Sequence, residues 1–107
     1  MSESDLHFGD MHAELFDSFG VEGTVQRGMD LPVPVVVVVD RSVAQYDDNG
    51  RVVRRVDLVS FLTAEWQALR NDRVVVPDSL VMPGGFDKKV DTLESDDGFV
   101  NKAVMYG

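Results

Sequence analysis

Five consecutive valines at residues 35–39, between Pro34 and Asp40, restrict the fold more than any other feature of the chain. Valine is β-branched, and a run of this length favours a strand over a helix. Successive side chains of a strand point to opposite faces, so valine at every position predicts that both faces are covered. Pro32 and Pro34 restrict the start of this strand to an edge or an entry position.

The length of the chain allows one hydrophobic core. With 107 residues, we predict a single domain over 1–107. A parallel α/β sheet would need more helices than the two short ones that the sequence offers. We therefore predict a mainly β fold: a small β-barrel or sandwich with a short N-terminal helix and a long polar hairpin loop. The predicted parts are a flexible arm at 1–9, the helix at 10–19 and a β body at 21–107.

The N-terminal helix is predicted from its ends and its apolar face. Asp10 can cap the first free amides, and Gly20 can end the helix in the left-handed conformation. Gly9 makes continuation of the helix into the preceding residues unfavourable, so we expect the arm to be mobile in the isolated protein.

A polar hairpin is predicted around Asn49 and Gly50, because an Asn-Gly pair is the strongest short signal for a type I′ turn. With those two residues as the loop, Tyr46 faces Val53 and Gln45 faces Arg54. Neither face of this ribbon is apolar throughout. We therefore expect it to project from the body instead of lying on the core.

Four other segments complete the predicted elements. VEGTVQRGM after Gly20 and RVVVP at 73–77 are predicted strands. Residues 86–107 are predicted to form a hairpin that turns at 95–98, and loops of two, three or four residues are all compatible with the sequence there. TAEWQALRN is predicted to form one or two helical turns, with Thr63 as the cap.

Charge is distributed unevenly along the chain. The net charge is −9, and residues 1–40 hold eight acids against Arg27 alone. Residues 41–75 hold six arginines against five acids. The overall acidity argues against general binding to nucleic acid, which requires a local excess of cations. It also leaves open a different class of function, a small acidic binding or inhibitor protein that imitates a nucleic-acid backbone.

No catalytic or metal-binding pattern stands out. The chain has no cysteine, and His7 and His12 lack the i, i+4 spacing of helical metal ligands. The aspartate pairs 47–48 and 96–97 each precede a glycine, as is typical of turns. We predict no catalytic residue, no metal, no cofactor and no enzymatic activity. Without a basic signal segment or a long apolar run, we also predict a soluble protein that is made in a cytoplasm and does not contact a membrane.

The order of parts resembles the small head-to-tail joining proteins of long-tailed bacteriophages, also called head completion or stopper proteins. The resemblance rests on a short helix, a long polar loop near 41–55, LRNDRVVV, and a terminal hairpin through ESDDGFVNKAVMY. At PDSLVMPGGF the sequence departs from the tight turn that the family makes between strands. The resemblance implies a small β-barrel or sandwich that forms a homo-oligomeric ring in the virion neck.

The resemblance also implies partners. They are the portal and adaptor proteins of the head on one side, and the tail terminator or tail tube on the other. In some members a loop closes the channel and contacts packaged DNA. A tail terminator or another ring protein at the tail end is the alternative within this class. A ring would cover the outer valine face with a neighbouring subunit, whereas in a monomer the Trp66 segment would fold over it.

The polar hairpin is the predicted contact site for the channel or for a partner. Its guanidinium groups can pair bidentately with DNA phosphates or with a neighbour's carboxylates. Alternatively, they only balance the nearby aspartates in solvent. The candidate residues are Arg41, Tyr46, Asp47, Asp48, Asn49, Gly50, Arg51, Arg54 and Arg55.

Overall fold

The computed structural model describes residue 16 and residues 18–106. The predicted arm at 1–9 lies outside the described residues, and so does most of the predicted helix at 10–19. Within the described part, the Gly20 amide donates to the Phe16 carbonyl at 2.7 Å. The strands are β1 (Val21–Gln26), β2 (Val33–Tyr46), β3 (Val52–Leu62), β4 (Arg73–Val76), β5 (Phe86–Asp96) and β6 (Val100–Met105).

These strands form one closed antiparallel barrel in the order β1-β2-β3-β6-β5-β4. The barrel closes between β1 and β4, where Thr24 pairs with Val75. This architecture confirms the predicted mainly β class and, of the two predicted forms, is the barrel. It also confirms strands within VEGTVQRGM, where β1 ends at Gln26, and within RVVVP, where β4 ends at Val76.

The valine run occupies the barrel wall. Val35 and Val37 are buried in the core, and Val39 packs against it. Val36 and Val38 alternate with them and remain half-buried on the outer face. The inner face is therefore covered as predicted, whereas the outer face is covered only in part.

Two apolar clusters stabilise the barrel. The larger cluster fills the interior, where it includes Phe61, Val74 and Met105. The smaller one consists of Val56, Leu58 and Val104, with Val43 packed against it. Leu58 and Phe61 belong to different clusters because side chains of β3 alternate between the faces of the sheet.

The connection from β3 to β4, residues 63–72, contains hydrogen-bonded turns but no helix, where one or two helical turns were predicted. One turn forms at its start, where the Trp66 amide donates to the Leu62 carbonyl at 3.0 Å, and another at its end, where the Asp72 amide donates to the Leu69 carbonyl at 3.1 Å. Residues 66–69 between them have no regular secondary structure, and Ala68 enters the main core. Since β4 lies across the barrel from β3 in the closed strand order, the segment spans the barrel end.

The terminal hairpin forms between β5 and β6, but its turn lies later than predicted. Asp96 still pairs with Asn101, so residues 97–99 form the turn. The Asp97 carboxylate accepts the Phe99 and Val100 amides at 2.9 and 2.8 Å. Those side-chain bonds fix the turn two residues beyond the predicted start.

Candidate functional site

The distal part of the β2–β3 hairpin forms a ribbon that extends beyond the barrel; we call residues 43–56 the ribbon. β1 pairs with β2 only as far as Val37, and β6 pairs with β3 only as far as Leu58. The ribbon strands therefore pair only with each other. Every residue from Tyr46 to Arg55 is exposed, which agrees with the predicted projection.

The ribbon turn is held by Asp47 and differs from the predicted type. The Asp47 carboxylate accepts the Asn49 amide at 2.9 Å and the Arg51 amide at 3.0 Å. Gly50 has φ of 78°, but Asn49 has no positive φ, so a type I′ turn is excluded. The geometry is a type I turn followed by a glycine bulge.

The glycine bulge shifts the pairing near the tip. Tyr46 pairs with Val52, where Val53 was predicted. The rest of the predicted register is confirmed: Gln45 pairs with Arg54. The error is confined to the turn because the side chain of Asp47 stabilises a longer loop than the Asn-Gly pair requires.

The three arginines near the ribbon tip, which we call the distal arginines, retain free N–H donors; they are Arg51, Arg54 and Arg55. Arg54 Nε donates to Gln45 Oε1 at 2.7 Å, and Arg55 Nη1 donates to the Ser42 carbonyl at 3.0 Å. A guanidinium has five N–H donors, so most of them face solvent. Arg54 and Arg55 are adjacent in β3 and point to opposite faces of the ribbon. The ribbon can therefore bind anionic groups on both sides.

Apolar side chains share the ribbon surface with these arginines. Tyr46, Val52 and Val53 are 65%, 49% and 59% exposed. Only Tyr46 was among the sequence candidates, because a valine in a strand gives no signal of exposure before its register is known. Tyr and Arg are enriched at protein interfaces, and the exposed valines add apolar area beside them.

Arg41 lies apart from the distal arginines, at the base of the ribbon. Its Nη2 donates to the Gly85 carbonyl, and its guanidinium lies 5.9 Å from the centre of the Phe86 ring. Arg41 thereby joins β2 to the loop before β5. Of the sequence candidates, it is the one engaged with the barrel.

The ribbon is anchored at its base by Asp57. This carboxylate accepts the Ser42 amide at 2.9 Å and pairs with Lys88 Nζ at 2.8 Å. Burial raises the pKa of Asp57, but the bonds from Lys88 and Ser42 outweigh it, and the net pKa lies below its ordinary value. Ser42 has φ of 58° within an irregular step of β2. No pattern in the sequence marked this step.

A second polar cluster, at the opposite end of the barrel, was missed by sequence reasoning. The buried Asp72 carboxylate accepts Arg27 Nε and Nη2 at 2.9 and 2.8 Å, Trp66 Nε1 at 3.1 Å and the Leu69 amide at 2.8 Å. The Arg27 guanidinium also lies 4.6 Å from the centre of the Trp66 ring. Burial raises the pKa of Asp72, but these bonds hold it below its ordinary value.

Asn101, on β6, forms hydrogen bonds to the connection from β3 to β4, residues 63–72, which we call the crossing segment. Its Oδ1 accepts the Ala68 amide at 2.9 Å, and its Nδ2 donates to the Trp66 carbonyl at 2.8 Å. Asn101 is fully buried. Together with Asp72 it fixes the segment that closes the barrel end, so this cluster has a structural role.

Residues 18–106 and Phe16 contain no group of three or more His, Asp or Glu side chains that could hold a metal ion. His7 and His12 lie outside the described residues. No helix in the described part of the chain is both long and apolar enough to span a bilayer. Neither a protein-family model nor a curated protein matches the chain significantly.

Proposed function

We propose that the chain is a structural subunit of the phage neck, which forms a ring between the head portal or adaptor and the tail. The observation that supports this proposal best is the ribbon, a two-stranded arm that extends from a small closed barrel. The proposal also draws on the family resemblance of the sequence. In this role the barrel forms the body of the ring and the ribbon contacts the channel or a partner.

The surface of the ribbon suits such a contact. Exposed Tyr46 and Val52 can bury apolar area, while Arg54 and Arg55 offer free donors on opposite faces. Bidentate pairing suits both DNA phosphates and carboxylates of a neighbour. The apolar side chains of the ribbon are not stabilised in solvent, whereas burial in an interface would stabilise them.

A ring also accounts for the half-covered outer face of the valine strand. In a closed ring each subunit presents two different surfaces to its two neighbours. Val36 and Val38 are half-buried in the single chain, and a neighbour could bury them further. The competing acidic-mimic function relies on carboxylates of which most lie outside the described residues.

Immunogold electron microscopy of virions from a lysate that contains the chain tests its location. We expect label at the head–tail junction. Label on headless tails would instead indicate the tail-terminator alternative. Label on the capsid shell, or virions without label, would refute the neck proposal.

A triple substitution tests the ribbon itself: Arg51→Ser, Arg54→Ser and Arg55→Ser. All three residues are exposed, so we expect the melting temperature to change little. In particles we expect heads that fill with DNA but leak it or fail to join tails. Normal yields of infectious, DNA-retaining virions would show that the ribbon has no channel or joining role.

The matched control replaces the same three arginines with lysine. This keeps the charge but removes the planar bidentate donors. Restored DNA retention in the lysine variant indicates that charge suffices, as for general attraction to phosphates. Failure of both variants indicates that bidentate pairing is required.

A further inference from the structure

A basic cleft of about 720 Å³ lies between the end of β1 and the start of β4. Its lining includes Arg27, Arg70, Arg73 and Lys89, against Asp72 as the acid. These are four of the ten Lys and Arg residues in a chain with a net charge of −9. The lining itself therefore holds an excess of cations, although the protein as a whole is acidic.

The four cations differ in how far they are engaged. Arg27 is held by Asp72, and Arg73 pairs with exposed Asp87 at 2.6 Å. Asp30 and Asp91 lie near enough to act electrostatically on Arg27 and Arg70, respectively.

Of these four cations, Arg70 and Lys89 are the two that form no ion pair with a described residue. Arg70 Nε donates to the Tyr106 hydroxyl oxygen at 3.0 Å. Both side chains are exposed, so an incoming carboxylate could reach them without disturbing the core.

Exposed apolar side chains lie beside the cleft. Met29 belongs to the turn that begins at Arg27, in which the Asp30 amide donates to the Arg27 carbonyl at 3.0 Å. Met29 is fully exposed, and Leu31 and Leu69 are 86% and 53% exposed. Such a surface fits a segment that carries both carboxylates and apolar side chains.

The chain contains a segment with that chemistry. Residues 1–15 hold four acids and no lysine or arginine, and they include Leu6, Phe8, Met11 and Leu15. Opposite charge and shared apolar character make this segment complementary to the cleft and its rim.

The path of the chain favours a contact between two copies. Phe19 lies beside Val38 and Ser60, on β2 and β3. The cleft lies on β1, β4 and β5. In the closed strand order β4 is opposite β3, so the cleft and Phe19 are on different sides of the barrel. The N-terminal segment thus starts from the side of the barrel away from its own cleft.

We infer that residues 1–15 of one copy bind the basic cleft of another copy, between Arg70, Lys89 and the exposed Met29. The contact is head-to-tail, since a different surface of each copy takes part, and repeated contacts of this kind build rings or filaments. This surface is separate from the ribbon, and the contact does not depend on a role in the phage neck.

Trp66 provides a direct probe of the cleft. It is the only tryptophan, and it contacts both Arg27 and Asp72, which line the cleft. The experiment titrates a synthetic peptide of residues 1–15 into the full chain and follows tryptophan emission and the backbone amide spectrum. The peptide has no tryptophan or tyrosine, so the emission comes from the chain. We expect a saturable change in emission that weakens with salt, with amide shifts at Gly28 and Lys89.

Two double variants with the same charge change separate the cleft from general attraction. Arg70→Glu with Lys89→Glu should weaken binding of the peptide at least tenfold. Arg51→Glu with Arg54→Glu, on the ribbon, should leave the affinity within about twofold, because the cleft is intact. A peptide with all four acids replaced by serine should not bind.

Several results would overturn the inference. They are no saturable response to the native peptide, equal loss of binding in both double variants, or tighter binding of a short single-stranded oligonucleotide of equal charge. Serine replacement of the four acids in the full chain tests the path. If the serine replacement shifts the Gly28 and Lys89 amide signals by the same amount at all protein concentrations, the segment binds the cleft of its own copy. That result refutes the intermolecular contact. None of these readouts requires virions, so they are independent of the neck proposal.

Discussion

Two Arg–Asp pairs in this barrel have nearly the same geometry but different burial, and Asp72→Asn should show what burial contributes. Arg27 and Arg73 each donate through Nε and Nη2 to one carboxylate, at 2.6–2.9 Å. Asp72 is 1% exposed and Asp87 is 52% exposed. Asp87→Asn is therefore the matched control.

The expected cost follows from the donors around Asp72. Its Oδ2 accepts three hydrogen bonds, which an amide oxygen could still accept without the charge. At Oδ1, however, the new amide would face the Arg27 Nε–H, donor against donor. Hydrogen bonds to charged groups contribute about 1.5–3 kcal/mol and neutral ones about half of that.

Arg27 is 41% exposed and can be rehydrated, which keeps the penalty below that of a fully buried pair. We therefore expect Asp72→Asn to lower the free energy of unfolding by about 2–4 kcal/mol. Asp87→Asn should lower it by about 0–1 kcal/mol, as for an exposed pair.

Urea unfolding followed by Trp66 emission measures both changes. The slope of free energy against urea should remain that of the parent chain, since neither change alters the area exposed on unfolding. Equal costs for the two variants, or a cost below about 1 kcal/mol for Asp72→Asn, would refute the reasoning from burial.

Three further outcomes are expected. The pKa of Asp72 is lowered in the folded chain, so its contribution to stability is present above the unfolded pKa of about 3.9 and is lost as pH falls further. The difference in unfolding free energy between the parent chain and Asp72→Asn, measured by urea titrations at several pH values, should therefore shrink below about pH 4. Asn101→Ala should cost about 2–4 kcal/mol in chemical unfolding, since it leaves the buried Ala68 amide without its acceptor and opens a void. Gly85→Ala should lower the melting temperature more than Gly84→Ala. Both glycines have positive φ, but a Cβ at Gly85 would lie 2.8 Å from the Val76 carbonyl oxygen, whereas a Cβ at Gly84 would face open space. Equal shifts of the melting temperature in calorimetry would contradict this.

The strands were predictable because their signals are local. The β-branched runs at 35–39 and 74–76 and the glycine at each hairpin turn depend on neighbouring residues alone. The ribbon register followed from the Asn-Gly pair except at its tip, where the Asp47 carboxylate selects a different turn. Short-range chemistry was therefore sufficient for most of the barrel wall.

The crossing segment was not predictable because its partners are distant in sequence. Asp72 receives Arg27 from 45 positions away, and Asn101 receives the Ala68 amide from 33 positions away. Neither residue differs in the sequence from an ordinary polar loop residue. For the same reason the basic cleft became visible only once β1, β4 and β5 were placed together.

The closure of the barrel between β1 and β4 has a consequence for how the chain folds. The β2–β3 hairpin joins neighbouring segments and can form early, whereas the closing pair must bring together Thr24 and Val75. Until then the valine strand has an open edge toward β1, where another chain could add. The charged ribbon that continues this hairpin carries Asp47, Asp48, Arg51, Arg54 and Arg55. Because charged side chains are costly to desolvate, these residues would act as gatekeepers against aggregation during that interval.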